Sequence, residues 1–130
     1  MTYLCTRNQK QTKYMNTYFE FSFNGENYIA RCNYRNTRNG FAHDCEVMTE
    51  HYDSVTTATC DYLNRTWECF TFESVLHSAI SILRERMAAR AIENYKEQTG
   101  KSRIFKAQRV ELEAPARVAY EKALETIKRA

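Results

Sequence analysis

Four side chains of the kinds that hold zinc, His43, Cys45, His51 and Cys60, fall between residues 43 and 60. Structural zinc sites bring such ligands in close pairs on strand knuckles or helix turns. His43 and Cys45 share one face of an alternating segment, but no second tight pair accompanies them, so no metal site is expected. Cys45 and His43 could also serve as a nucleophile and its base. That chemistry needs an oxyanion-stabilising loop, and none accompanies any cysteine. The chain has three glycines, Gly25, Gly40 and Gly100, which suit turns and a helix end. Thr99-Gly100-Lys101-Ser102 is similar to the end of a phosphate-binding loop but lacks the upstream glycine and strand. Neither a catalytic residue nor a cofactor is therefore expected.

Charge is the stronger signal. From residue 43 to 75 the acids Asp44, Glu46, Glu50, Asp53, Asp61, Glu68 and Glu73 face one base, Arg65. The first 42 residues and the last thirty are basic, so a net charge of +3 hides an acidic middle between basic ends. Segregated fields of this kind suit charged partners. Asp44, Glu46, Glu50, Asp53, Asp61 and Glu68 could form a negative stripe that docks on a basic groove. The same acids could instead balance Arg31 and Arg35 across a sheet. Arg31, Arg35 and Arg38 around Tyr34, and Arg103, Lys106 and Arg109 around Phe105, could neutralise phosphates beside aromatic rings that stack bases.

The elements that position these residues follow from periodicity. Tyr18 to Phe23 alternates, with Phe19, Phe21 and Phe23 on one face. Asn24-Gly25 then fits a type I′ turn. This places Phe23 opposite Glu26, Phe21 opposite Tyr28 and Phe19 opposite Ala30. With Asn39-Gly40 as a second turn, Tyr34 opposes Cys45, Cys32 opposes Val47 and Arg35 lies across from Asp44. One apolar face then runs through three strands. Val55, Ala58, Thr59 and Tyr62 stand at helical spacing, predicting a short helix after a cap at Asp53 or Ser54. Residues 65–72 alternate as a fourth strand.

From Ser74, the stripe of Val75, Leu76, Ala79, Ile80, Leu83, Met87 and Ala91 predicts a long helix stopped by Gly100. Residues 102–113 fit a short helix better than a strand. Pro115 suits the first turn of a last helix. The expected class is α+β: an antiparallel β-meander with a short helix and fourth strand, packed against a long helix and a helical C-terminal segment. A single domain over residues 1–130 is expected, with residues 1–16 a flexible or edge segment, 17–73 the sheet region and 74–130 the helical region.

Nine Tyr and seven Phe give a high aromatic share of 13%. No apolar run is long enough to span a bilayer, and the first residues lack a secretory signal. The five cysteines, odd in number and without a C-x-x-C pair, suggest reduced thiols packed as small hydrophobes in a cytoplasm.

Tyr52-Asp53-Ser54-Val55-Thr56-Thr57, Tyr62-Leu63, and Arg65-Thr66-Trp67-Glu68-Cys69-Phe70-Thr71-Phe72-Glu73-Ser74-Val75-Leu76 carry a likeness. The chain there resembles small accessory proteins of phages and conjugative elements of Gram-positive bacteria, over about residues 28–85. The resemblance implies the context of anti-CRISPR proteins, which bind a nuclease complex without catalysis. The expectation is a non-enzymatic, cytoplasmic mobile-element protein that binds and inhibits a host-defence nuclease or ribonucleoprotein. The alternative is a small RNA- or DNA-binding module.

Overall fold

The protein is described by a computed structural model covering residues 16–63 and 71–130. Strands β1 (Thr17–Phe23) and β2 (Glu26–Thr37) meet at Asn24-Gly25. Both turn residues have positive φ, 51° and 83°, as a type I′ turn requires. The register follows the expected pairs Phe23–Glu26, Phe21–Tyr28 and Phe19–Ala30. Strand β3 (Gly40–Thr49) pairs with β2 two residues out of the expected register. The turn is Arg38-Asn39 rather than Asn39-Gly40, so Cys32 opposes Cys45, Tyr34 opposes His43, and Arg35 opposes Ala42. A slip of two keeps every side chain on its face, so the core survives the correction.

Residues 54–63 are not a helix. They form strand β4 (Ser54–Leu63), antiparallel to β3. Val55, Thr56, Thr57 and Thr59 are β-branched, and their restricted χ1 suits a strand. Val47 opposes Thr56 while Met48 opposes Ser54, which leaves Val55 as the extra residue of a bulge. Val55 accordingly packs against the core, and this break in the alternation gives the segment its helix-like spacing. The strand expected over 65–72 lies outside the described residues except for Thr71 and Phe72, which precede the next helix. The expected segment 1–16 likewise lies outside, save Asn16.

Helix α1 (Glu73–Thr99) buries Val75, Leu76, Ala79, Ile80 and Leu83 against the sheet. It ends at Gly100, whose φ of 70° is left-handed and whose N–H donates to the Lys96 carbonyl at 2.8 Å. Helix α2 (Lys106–Thr126) begins well before Pro115, which lies inside it. Pro115 is therefore not a first-turn residue; packing against α1 carries the helix through it. Ala116, Ala119 and Ala123 are the buried residues of α2, and their small side chains let the two helices approach closely. The Arg84 guanidinium lies 4.7 Å from the centre of the Tyr120 ring, joining the helices by a cation–π contact.

A two-residue strand, β5 (Lys128–Arg129), returns to β1 and was not legible in the sequence. The sheet order is β4-β3-β2-β1-β5, an α+β architecture with both helices on one face. Phe21, Phe23, Ala30, Cys32, Cys45 and Val47 meet the α1 stripe across a single core. The sheet face away from the helices carries Glu20, Arg31, Arg35, Asp44, Glu46, Thr59 and Asp61, alternating with the core residues, and also buries Ala42 and Met48. Among the described residues, no helix is long and apolar enough to cross a membrane.

Candidate functional site

The six acidic candidates do not form an uninterrupted stripe. Asp44 and Glu46 stand on the sheet face away from the helices, two residues apart on β3, and each meets an arginine of β2. Arg31 pairs with Glu46, its direct cross-strand partner. The Nε of Arg35 donates to Asp44 at 2.7 Å, and the Thr59 hydroxyl donates to the other Asp44 oxygen at 2.7 Å. That hydrogen bond, followed by the Asp44 charge, raises the Arg35 pKa above its ordinary value.

Asp61 lies on the same face, opposite Ala42, and adds to the field on Arg35. Glu50 sits in the β3–β4 turn and accepts a hydrogen bond from Asn27 at 3.0 Å. In that turn Asp53 gives its carbonyl to the Thr49 N–H and its own N–H to the Thr49 hydroxyl. Glu68 lies outside the described residues. The acids therefore divide between the sheet face, where Asp44 and Glu46 are paired with arginines and Asp61 is in no ion pair among the described residues, and a turn.

The basic candidates divide too. Arg31 and Arg35 are engaged on the sheet, and Arg38 is in the β2–β3 turn. Arg103, Lys106 and Arg109 come together where α1 hands over to α2. The buried residues of α1 stop at Leu83 and those of α2 begin at Ala116, so the stretch between them extends the helical hairpin past the core. The β1–β2 turn lies against the middle of this hairpin: Asn24 and Gly25 line a groove with Met87, Pro115 and Val118. Residues 96–109, at the tip of the hairpin, carry Lys96, Lys101, Arg103, Lys106 and Arg109 against one acid, Glu97, while Glu93, Glu111 and Glu113 stand nearer the groove.

Phe105 stands in the middle of the tip, 75% exposed, between Arg103 and Lys106. It is the residue preceding α2, which has no side-chain cap and no acid in its first turn. The positive end of the helix dipole therefore reinforces the lysines and arginines rather than being neutralised. Lys96 and Lys101 were not among the basic candidates read from the sequence. Ile104 and Phe105 read as an apolar helix face, whereas their placement beside Gly100, which ends α1, puts them at a bend.

Of the metal and nucleophile candidates, His43 of β3 stands directly opposite Cys60 of β4, and Cys45 lies two residues from His43 on the same strand face. Among the described residues, no group of three His, Cys, Asp or Glu converges as a metal site would require. His43 is 2% exposed, within about 5 Å of the rings of Phe41, Tyr62 and Phe72, and its Nδ1 has no hydrogen-bond partner among the described residues. Burial lowers its pKa, against a smaller opposing effect of Asp44. Cys45 faces Cys32 in the core, His51 is exposed in a turn, and the Cys60 sulfur lies 3.9 Å from the Ser78 hydroxyl.

Comparison with protein-family models, with curated proteins and with solved structures finds no match.

Proposed function

We propose that this is a non-enzymatic binding protein that contacts nucleic acid through the basic tip of its helical hairpin. The observation that carries this reading is the concentration of unbalanced positive charge around exposed Phe105. On the sheet, by contrast, Arg31 and Arg35 are each neutralised by a carboxylate. A tip of this kind can pair with phosphates and stack a base on one aromatic ring. In the mobile-element setting implied by the resemblance, the nucleic acid is the guide or target held by a host-defence nuclease or ribonucleoprotein in the bacterial cytoplasm. The tip would then reach into that complex and inhibit it. The alternative reading is an RNA- or DNA-binding module that uses the same tip on free nucleic acid.

A labelled single-stranded oligonucleotide titrated over a range of salt concentrations tests the shared premise. Association should weaken linearly on logarithmic axes, by about 0.7 per phosphate contacted. The triple change Arg103→Glu, Lys106→Glu, Arg109→Glu should abolish it. Binding that ignores this change removes the tip from the account. Capture of a nuclease complex that survives nuclease treatment favours the inhibitor; capture that disappears favours the free nucleic-acid module.

A further inference from the structure

The central strands place two cysteines face to face. Cys32 of β2 and Cys45 of β3 are direct cross-strand partners, 0% and 1% exposed, on the face that meets α1. The kind of site they occupy follows from the ladder. The type I′ turn at Asn24-Gly25 makes Phe23–Glu26 a hydrogen-bonded pair, and every second pair after it, through Thr17–Cys32, is hydrogen-bonded as well. The backbone of Cys32 therefore points to β1, leaving Cys32–Cys45 a non-hydrogen-bonded pair. Two bonds at other places in the sheet obey the same alternation: the Ala130 N–H donates to Tyr18 and the Thr49 N–H to Asp53.

At non-hydrogen-bonded pairs the Cα atoms approach to about 4.5 Å, and side chains are at their closest. A disulfide needs Cα atoms roughly 4.4–6.8 Å apart, so the backbone already satisfies it. The neighbouring Cys45 thiol, then burial, holds the Cys32 thiol above the ordinary range.

We propose that Cys32 and Cys45 form a modification site: a dithiol that a low-molecular-weight disulfide oxidises to a cross-strand bridge at the centre of the sheet. One thiolate attacks a sulfur of the small disulfide, making a mixed disulfide and releasing one small thiol. The second thiolate attacks the protein sulfur of that mixed disulfide and releases the other small thiol. Two protein thiols and one small disulfide thus become one protein disulfide and two small thiols. Because both side chains are buried, exchange proceeds through local opening of the β2–β3 pair. Closure ties residues 32–45 into a ring and fixes the register of β2 against β3.

The test uses the full chain, incubated with excess oxidised glutathione under native conditions, then alkylated and mapped by mass spectrometry without reductant. The expected product is two hydrogens lighter, carries a Cys32–Cys45 cross-linked peptide and unfolds at a higher temperature until reductant is added. The variant Cys5→Ser, Cys60→Ser, Cys69→Ser should give the same cross-link, and Cys45→Ser should give none. Alkylation of both Cys32 and Cys45 after the treatment, a separate glutathione on each, or cross-links to other cysteines instead would overturn the proposal.

Discussion

Arg35 and Asp44 meet at 2.7 Å although neither stands opposite the other. Arg35 faces Ala42, Asp44 faces Asn33, and the guanidinium crosses diagonally to the carboxylate. Thr59 of β4 reaches the same carboxylate, so Asp44 ties three strands together. Both partners are partly exposed, which limits the value of the pair. Asp44→Ala should lower stability by at most about 1 kcal/mol in urea unfolding, and added salt should shrink the difference. A loss of several kcal/mol would mean that Asp44 supports more than this cross-strand contact.

His43 gives the fold a dependence on pH. Its folded pKa is depressed below the ordinary 6.5 by burial. The unfolded chain therefore takes up a proton first as pH falls. Stability is fully present above the unfolded value and is lost as pH falls from there through the lowered folded value. His43→Phe keeps the aromatic packing with Phe41, Tyr62 and Phe72 and removes the buried nitrogen that has no partner among the described residues. Thermal unfolding between about pH 7 and pH 5 should be flatter in this variant than in the wild type. Equal slopes would assign the pH dependence to other groups.

Pro115 lies within α2 and leaves the Glu111 carbonyl without its helical donor. Its ring stands on an exposed surface. Pro115→Ala should raise stability by roughly 1–3 kcal/mol, read from the denaturation midpoint at unchanged slope. If α2 instead began at Pro115, the exchange would be neutral or destabilising, because proline is favoured there.

Phe105 contributes little to the core at 75% exposure. Phe105→Ala should leave the unfolding temperature within a degree or so, as surface changes generally do. Under the proposed function, it should weaken single-stranded nucleic-acid binding by about 1–3 kcal/mol, the usual worth of one base–aromatic stack. Weaker binding accompanied by lost helicity would point to the hairpin bend rather than to stacking.

The first hairpin was legible because two independent signals agreed: alternating phenylalanines and a dipeptide that tolerates positive φ. The second hairpin was read two residues out, since Asn39-Gly40 is an equally good turn by composition. The apolar alternation cannot distinguish registers that differ by two, which bury the same set. Residues 54–63 were misread because the bulge at Val55 turns two consecutive residues inward, breaking the period that identifies a strand. The long helix and its Gly100 stop were legible, whereas the start of α2 was masked by a proline that tertiary packing tolerates. The charge blocks were visible in one dimension. Which of them remain unbalanced depends on cross-strand neighbours, and those exist only once β2 and β3 pair.

The helical hairpin is a cantilever. Its root is clamped by Val75, Leu76, Ala79, Ile80 and Leu83 on one arm and by Ala116, Ala119 and Ala123 on the other, and its loaded end carries no comparable anchors. A force applied near Phe105 produces its greatest bending moment at the clamp, where Met87 and Pro115 lie beside the β1–β2 turn. Stiffness at the tip is therefore set by residues far from it. Shaving the alanine seam, or widening it with a larger side chain, would change how the tip yields under load while leaving its surface charge untouched.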